Sequence, residues 1–270
     1  MNTEEIMDLA LKLAELDHVP EDSSIYVPGR NIERVLFGID AGVPELLIAK
    51  KLDYDAVIAH HPQGETAVTE YQVFRRHIKQ MVGVGIPKGE AEEAVKRKMQ
   101  GLEVIGHRRN YAHAVDVAKL MNLPYMNIHT PLDEVGRRKM SEQIESRINE
   151  KSSVKDVVDI LKELPEFGKA VTEIKIRLGK GENLAGKVMV SHGAGTNGGY
   201  EVAEKYFKYG IGTLVYIHIS PEDLERLKVQ GEGNLIVTGH IASDSVGINP
   251  LIHELEEREI VVTRIGIISD

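Results

Sequence analysis

Apolar positions along the chain fall into short continuous runs and helical stripes that alternate for most of its length. The runs RVLFGID (34–40), AVIAH (56–60), PYMNIH (124–129), KVMVS (187–191), TLVYIHI (213–219), NLIVTG (234–239) and IVVTRIGI (260–267) are rich in β-branched residues and predict strands. AVTEIKIRL (170–178) alternates like a half-exposed strand. Spacing between these runs predicts helices over 43–52, 69–82, 88–99, 109–122, 200–210, 221–230 and 242–258. The first residues read as an amphipathic helix with Thr3 as its N-cap. Glu4 and Glu5 lie at the positive end of its dipole, and Ile6, Leu9, Leu13 and Leu16 form its stripe. Residues 134–165 are strongly charged with a helical period, which predicts a pair of helices broken at Ser152-Ser153. Strands alternating with helices of about 10–15 residues predict α/β layers.

At 270 residues the chain is long for one domain and comfortable for two. It has no repeat of fixed short period and no low-complexity linker, so the charged helical region after Asp133 is the candidate boundary. A net charge of −9 argues against nonspecific binding to nucleic acid or an anionic membrane. The basic pairs Arg75-Arg76, Arg108-Arg109 and Arg137-Arg138 are expected to be solvated faces. No apolar run approaches the ~18 residues of a membrane-spanning helix, and the first segment has no basic leader, so a cytoplasmic protein is expected. The absence of cysteine excludes disulfides, iron–sulfur clusters and thiolate sites. Any metal here must be held by His and carboxylates, a donor set that suits Zn, Fe, Mn, Co or Ni.

Three strand ends carry His and Asp together. The first is DAVIAHHPQGE (55–65). Adjacent strand residues point to opposite faces, so His60 and His61 can reach different atoms or different ions, and Pro62 ends the ladder. The alternative is a pair of capped or exposed histidines. The second is VTGHIASDSVG (237–247), where His240 and Asp244 stand four apart and share a helical face if the helix opens near residue 241. The third is NIHTPLDEV (127–135), with His129 and Asp133. Pro131 is expected to keep this stretch out of a regular helix, and Asp133 is either a ligand or the N-cap of a helix starting at Glu134. Each motif alone is weak. Together they suggest a metal site on one rim of a sheet, where open α/β folds place their ligands.

FGIDAGVPELLIAKKLDYDAVIAHHP, HTPLD and VTGHIASDSVG, in that order, resemble the NIF-three-like proteins, also known as GTP cyclohydrolase 1 type 2 homologues or dinuclear metal centre proteins. The resemblance spans the chain from about residue 30 onward and is weakest over 64–125 and near 150. It implies two α/β domains with mixed sheets and a metal site in the cleft between them, with residues 1–133 plus 240–270 forming one domain and 134–239 the other. It also implies a homohexamer and two divalent ions held by His60, His61, Asp133, His240 and Asp244. The last departs from the family pattern, in which Glu is usual. Asp is one methylene shorter, so either its helix comes closer or the second ion is lost. Asp40 in GIDAG matches a family position near the pocket, where it either orients a ligand His or caps the following helix. His129 is either an auxiliary or acid–base residue or a simple turn histidine.

The implied activity is metal-dependent hydrolysis of a nucleotide or phosphorylated small molecule. The alternatives are a non-enzymatic metal-binding or metal-delivery hexamer and a scaffold with a vestigial site. GAGTNGG (193–199) holds a G-x-G-x-x-G between a strand and a helix, the setting of a dinucleotide turn. The strand TLVYIHIS that follows ends without an acidic residue for a ribose, which favours a tight βα turn or a subsite for phosphate.

Overall fold

The computed structural model describes residues 1–192 and 197–270. Its strands form two mixed sheets. The first runs in the order β1 (Ser24–Val27), β4 (Tyr125–Asn127), β3 (Ala56–Ala59), β2 (Arg34–Gly38) and β9 (Val261–Ile265). All of its neighbours are parallel except β1 against β4. The second runs β5 (Lys175–Leu178), β8 (Asn234–Val237), β7 (Ile211–Tyr216), β6 (Lys187–Val190), with β5 antiparallel and the rest parallel. The inner strands β3 and β8 are buried at every position, which is why AVIA and the LIV of β8 read as unbroken apolar runs.

Several helices differ from the sequence expectation. The N-cap of α1 (Thr3–Ala14) is Asn2, whose side chain accepts from the Glu5 amide at 2.7 Å while Glu5 accepts from Asn2 in return. Thr3 is instead buried under Gly29, and the deep stripe is Ile6, Met7, Ala10, Leu11 and Ala14, with Leu9, Leu13 and Leu16 at its margin. The 69–82 helix is three pieces: α3 (Thr66–Thr69), a tighter 3-10 turn over Glu70–Arg75, and α4 (Arg76–Gly83). The remaining helices before β4 are α2 (Val43–Lys51), α5 (Lys88–His107) and α6 (His113–Met121). After these, α7 (Thr130–Glu145) starts four residues before the expected Glu134. Pro131 does not exclude a helix there, because in the first turn its missing N–H has no partner to lose. Asp133 therefore lies inside α7 and is not its N-cap. The chain continues with α8 (Val154–Leu161), α9 (Pro165–Lys169), α10 (Gly199–Lys208), α11 (Pro221–Gln230) and α12 (His240–Glu256).

The cores do not follow chain order. Phe74, Met81, Ile86, Ala91 and Val95 pack with Val202, Tyr206 and Leu214 from the region of the second sheet. One long helix, α12, serves two cores. Ala242 and Val246 join Met140, Val215 and Ile236, while Ile248, Leu251, Ile252 and Leu255 join Phe37, Ile58 and Met126. It lies unusually close to α7. A Cβ placed on Gly247 would sit 2.1 Å from the Leu132 carbonyl oxygen, and one on Gly136 would sit 3.2 Å from the Gly247 nitrogen. Glycine at 247 is thus what lets these two helices approach, and they carry Asp133 and Asp244.

Candidate metal centre

The carboxyl ends of six parallel-paired strands each deliver a polar side chain to one cavity of about 350 Å³. Asp40 follows β2, the His60-His61 pair follows β3, and His129 follows β4. From the second sheet, His192 follows β6, His218 follows β7 and His240 follows β8. Asp133 comes from the first turn of α7, and Asp244 lies four residues into α12 from His240. The His-His pair is held by its backbone: both amides donate to the Ile39 carbonyl, at 3.2 Å from His60 and 2.9 Å from His61.

All five residues expected from the sequence as ligands converge. His60 Nε2 lies 3.2 Å from Asp133 Oδ1 and 3.8 Å from Asp244 Oδ2. His61 Nε2 lies 3.4 Å and His240 Nε2 3.2 Å from the same Asp244 oxygen. Three sets of side chains can each hold an ion: His60 with Asp133 and Asp244, His61 with His240 and Asp244, and His60 with His61 and His129. Asp244 is common to the first two. Asp244 is carried on α12 where that helix lies tightly against α7.

The histidines are oriented by their other nitrogens. His60 Nδ1 pairs with the Ile128 carbonyl at 2.9 Å, His61 Nδ1 with Asp40 Oδ1 at 2.8 Å and His129 Nδ1 with Asp22 Oδ2 at 2.8 Å. In each ring this leaves Nε2 facing the carboxylates, the arrangement that fixes the tautomer of a metal-binding imidazole. Asp40 thus contacts a candidate ligand. It does not cap α2, whose N-cap is Gly42, with Glu45 accepting from the Gly42 amide at 2.8 Å.

The donors fit a cation. His60 Nε2, Asp133 Oδ1 and both Asp244 carboxylate oxygens are buried without a hydrogen-bond partner among the described residues. Buried polar atoms are rarely left so, and buried charges require a counter-charge. Burial would raise both carboxyl groups, but the neighbouring imidazoles hold them down: His192 and His129 at Asp133, His61 and His60 at Asp244. Burial likewise opposes charge on His61, yet the neighbouring carboxylates of Asp244 and Asp40 push it up to about 10. His129 is pushed up to about 9, Asp133 and Asp22 outweighing burial. Without a metal, protons on these rings supply the positive charge. His218 goes the other way, down to about 4, through burial and the adjacent His240. His240 is also lowered by burial, against the pull of Asp244.

The site also contains residues that sequence reasoning missed. His192 and His218 obey the same strand-end rule as His60 and His129. Asp22, fully buried, accepts from Thr130 Oγ1 at 2.6 Å as well as pairing with His129, and no local signal marks it. Arg109 is exposed, as expected, but it also reaches the site. It lines the cavity and donates to Glu70 Oε1 at 3.0 Å. Of the other basic pairs, Arg137 forks onto Glu134 at 2.9 and 2.5 Å, and Arg138 meets Glu15 at 2.9 Å. The glycine-rich turn lies outside the described residues at Gly193 and Gly195; Gly199 opens α10. No described helix is long and apolar enough to cross a membrane.

Comparison with solved structures finds a NIF3 superfamily protein from Sphaerobacter thermophilus, 45% identical over 98% of both chains, with a TM-score of 0.96. Reduced HcgD from Methanocaldococcus jannaschii shares the fold at 14% identity, covering 98% of this chain and 97% of its own, with a TM-score of 0.61. A Bacillus cereus protein related to NIF3 does so at 11% identity, covering 100% of this chain and 98% of its own, with a TM-score of 0.54. No family model and no curated protein matches the chain.

Proposed function

The chain belongs to the NIF3 superfamily, and from that premise we propose that it holds two divalent ions and hydrolyses a nucleotide or another phosphorylated small molecule. One observation carries the reading: two three-donor sets share the buried Asp244, so one carboxylate faces two candidate ion positions. His60 and Asp133 would hold one ion, His61 and His240 the other, with Asp244 between them. Ions bound there would polarise a phosphoryl group or ring carbon and lower the pKa of a water, the usual chemistry of paired metals. The chain's own part is to aim the imidazoles through Ile128, Asp40 and Asp22, to exclude bulk water from Asp133 and Asp244, and to leave one side of the cavity open to a small molecule. A cytoplasmic homohexamer is the assembly this reading expects. The test is turnover of nucleotides and phosphoesters by metal-loaded protein beside a His60→Ala variant. Turnover that vanishes in the variant supports the proposal. Absence of turnover, with nothing lost on replacing His60, removes it and leaves metal storage or delivery.

A further inference from the structure

Two histidines in the cavity stand apart from the candidate ligands, and both come from the second sheet. None of the three donor sets includes His192 or His218. His192 is 1% exposed, and neither ring nitrogen has a hydrogen-bond partner among the described residues. Its Nε2 lies 3.5 Å from Asp133 Oδ1, the oxygen that also faces His60. Its backbone is anchored, since Gln80 Nε2 donates to the His192 carbonyl at 3.0 Å. A ring held this way, buried and unsatisfied at a cavity wall, lacks a partner that a ligand would supply.

His218 has a defined tautomer. The Asn197 side-chain oxygen accepts from the Gly199 amide at 3.2 Å, which fixes the amide's orientation. The Asn197 nitrogen, able only to donate, is therefore what meets His218 Nδ1 at 2.8 Å. The proton of a neutral His218 is then on Nε2. That nitrogen is a hydrogen-bond donor and has no lone pair for a metal.

We propose that His192 and His218 form the substrate-holding wall of the cavity and receive the oxygens of a phosphate-type anion, while the first sheet and α12 hold the metals. This rests on the metal reading above. Two divalent ions against Asp133 and Asp244 leave a surplus of positive charge, which favours an anion. Asn197 acts as a positioning residue for the His218 donor.

The test is calorimetric titration of inorganic phosphate into protein loaded with Mn²⁺, with metal content measured in parallel. His192→Gln and His218→Gln should each keep the parent's metal content and bind phosphate about tenfold more weakly, as expected for losing one hydrogen bond to a charged group. Asn197→Asp should weaken it comparably. A carboxylate accepts from Nδ1–H and so moves the ring proton away from Nε2. Unchanged phosphate affinity in both histidine variants overturns the proposal. So does loss of metal in His192→Gln, which would make that residue a ligand, or a metal-loaded parent that takes no phosphate. A parent that binds no metal overturns the metal reading and this inference with it.

Discussion

The approach of α12 to α7 makes a test of how Asp244 is placed. Replacing Gly247 with Ala would put a Cβ 2.1 Å from the Leu132 carbonyl oxygen. A carbon and a carbonyl oxygen need on the order of 3.3 Å, so the helices must part by roughly 1 Å. Leu132 adjoins Asp133, and Gly247 lies about one turn from Asp244, so the displacement falls on the shared carboxylate. Metal sites tolerate about 0.2 Å in a ligand distance, and 1 Å is several times that. The fold itself should survive, since overpacking of this kind costs about 1–3 kcal/mol. The control is Gly89→Ala in α5, where an added Cβ meets nothing within 4 Å; it should keep the parent's metal and be stabilised by up to about 1 kcal/mol. The assay is elemental analysis of each purified variant with a thermal melt beside it. Gly247→Ala with a lowered metal content and a melt only a few degrees below the parent is the expected result. If it retains the parent's metal, close helix packing is not what positions Asp244, and the argument fails.

Other expectations follow from the same geometry. Asp40→Asn should weaken metal binding by about 10–100-fold in competition with a chromophoric chelator, because the Asp40–His61 bond orients a candidate ligand; an unchanged affinity would remove that role. Asp22→Ala leaves His129 and Thr130 without their buried acceptor, and should cost about 1–3 kcal/mol in denaturant unfolding, where a loss near zero would contradict it. In chelated protein, His61 and His129 are raised above the ordinary imidazole value, to about 10 and about 9. A group raised on folding stabilises fully below its unfolded pKa, and this is lost as pH rises through the folded value. The melting temperature of the metal-free chain should therefore fall between about pH 7 and pH 10, and metal affinity should rise over the same interval as protons are displaced. A flat melting profile for the metal-free chain would contradict this.

What could be read from the sequence was the placement of chemistry at strand ends. A histidine after an apolar run is visible in one dimension; the parallel pairing of β2, β3 and β4 brings the first sheet's ends to one rim, and His240 after β8 of the second sheet lines the same cavity. That is why His60, His61 and His240 were legible, with Asp133 and Asp244 a helical turn beyond their histidines. The same rule applied to KVMVSH and TLVYIHI would have added His192 and His218. Asp22 and Arg109 were not legible, because their roles depend on contacts across the fold with His129 and Glu70. The strand β1 was missed because it is short, half-buried throughout and paired only at an edge. The early start of α7 was missed because Pro131 was read as a breaker where it is a first-turn residue. The close helix approach that suits Asp244 depends on Gly247, and a single glycine in a helix announces nothing until its neighbour is known.

The central claim is that Asp244 is shared between two ions. The most direct test is metal content per chain by elemental mass spectrometry, on protein purified without chelator or affinity nickel, beside Asp244→Ala. Two equivalents in the parent, falling in the variant, are predicted. No metal in the parent even after it is supplied, or two equivalents retained without Asp244, would contradict the account.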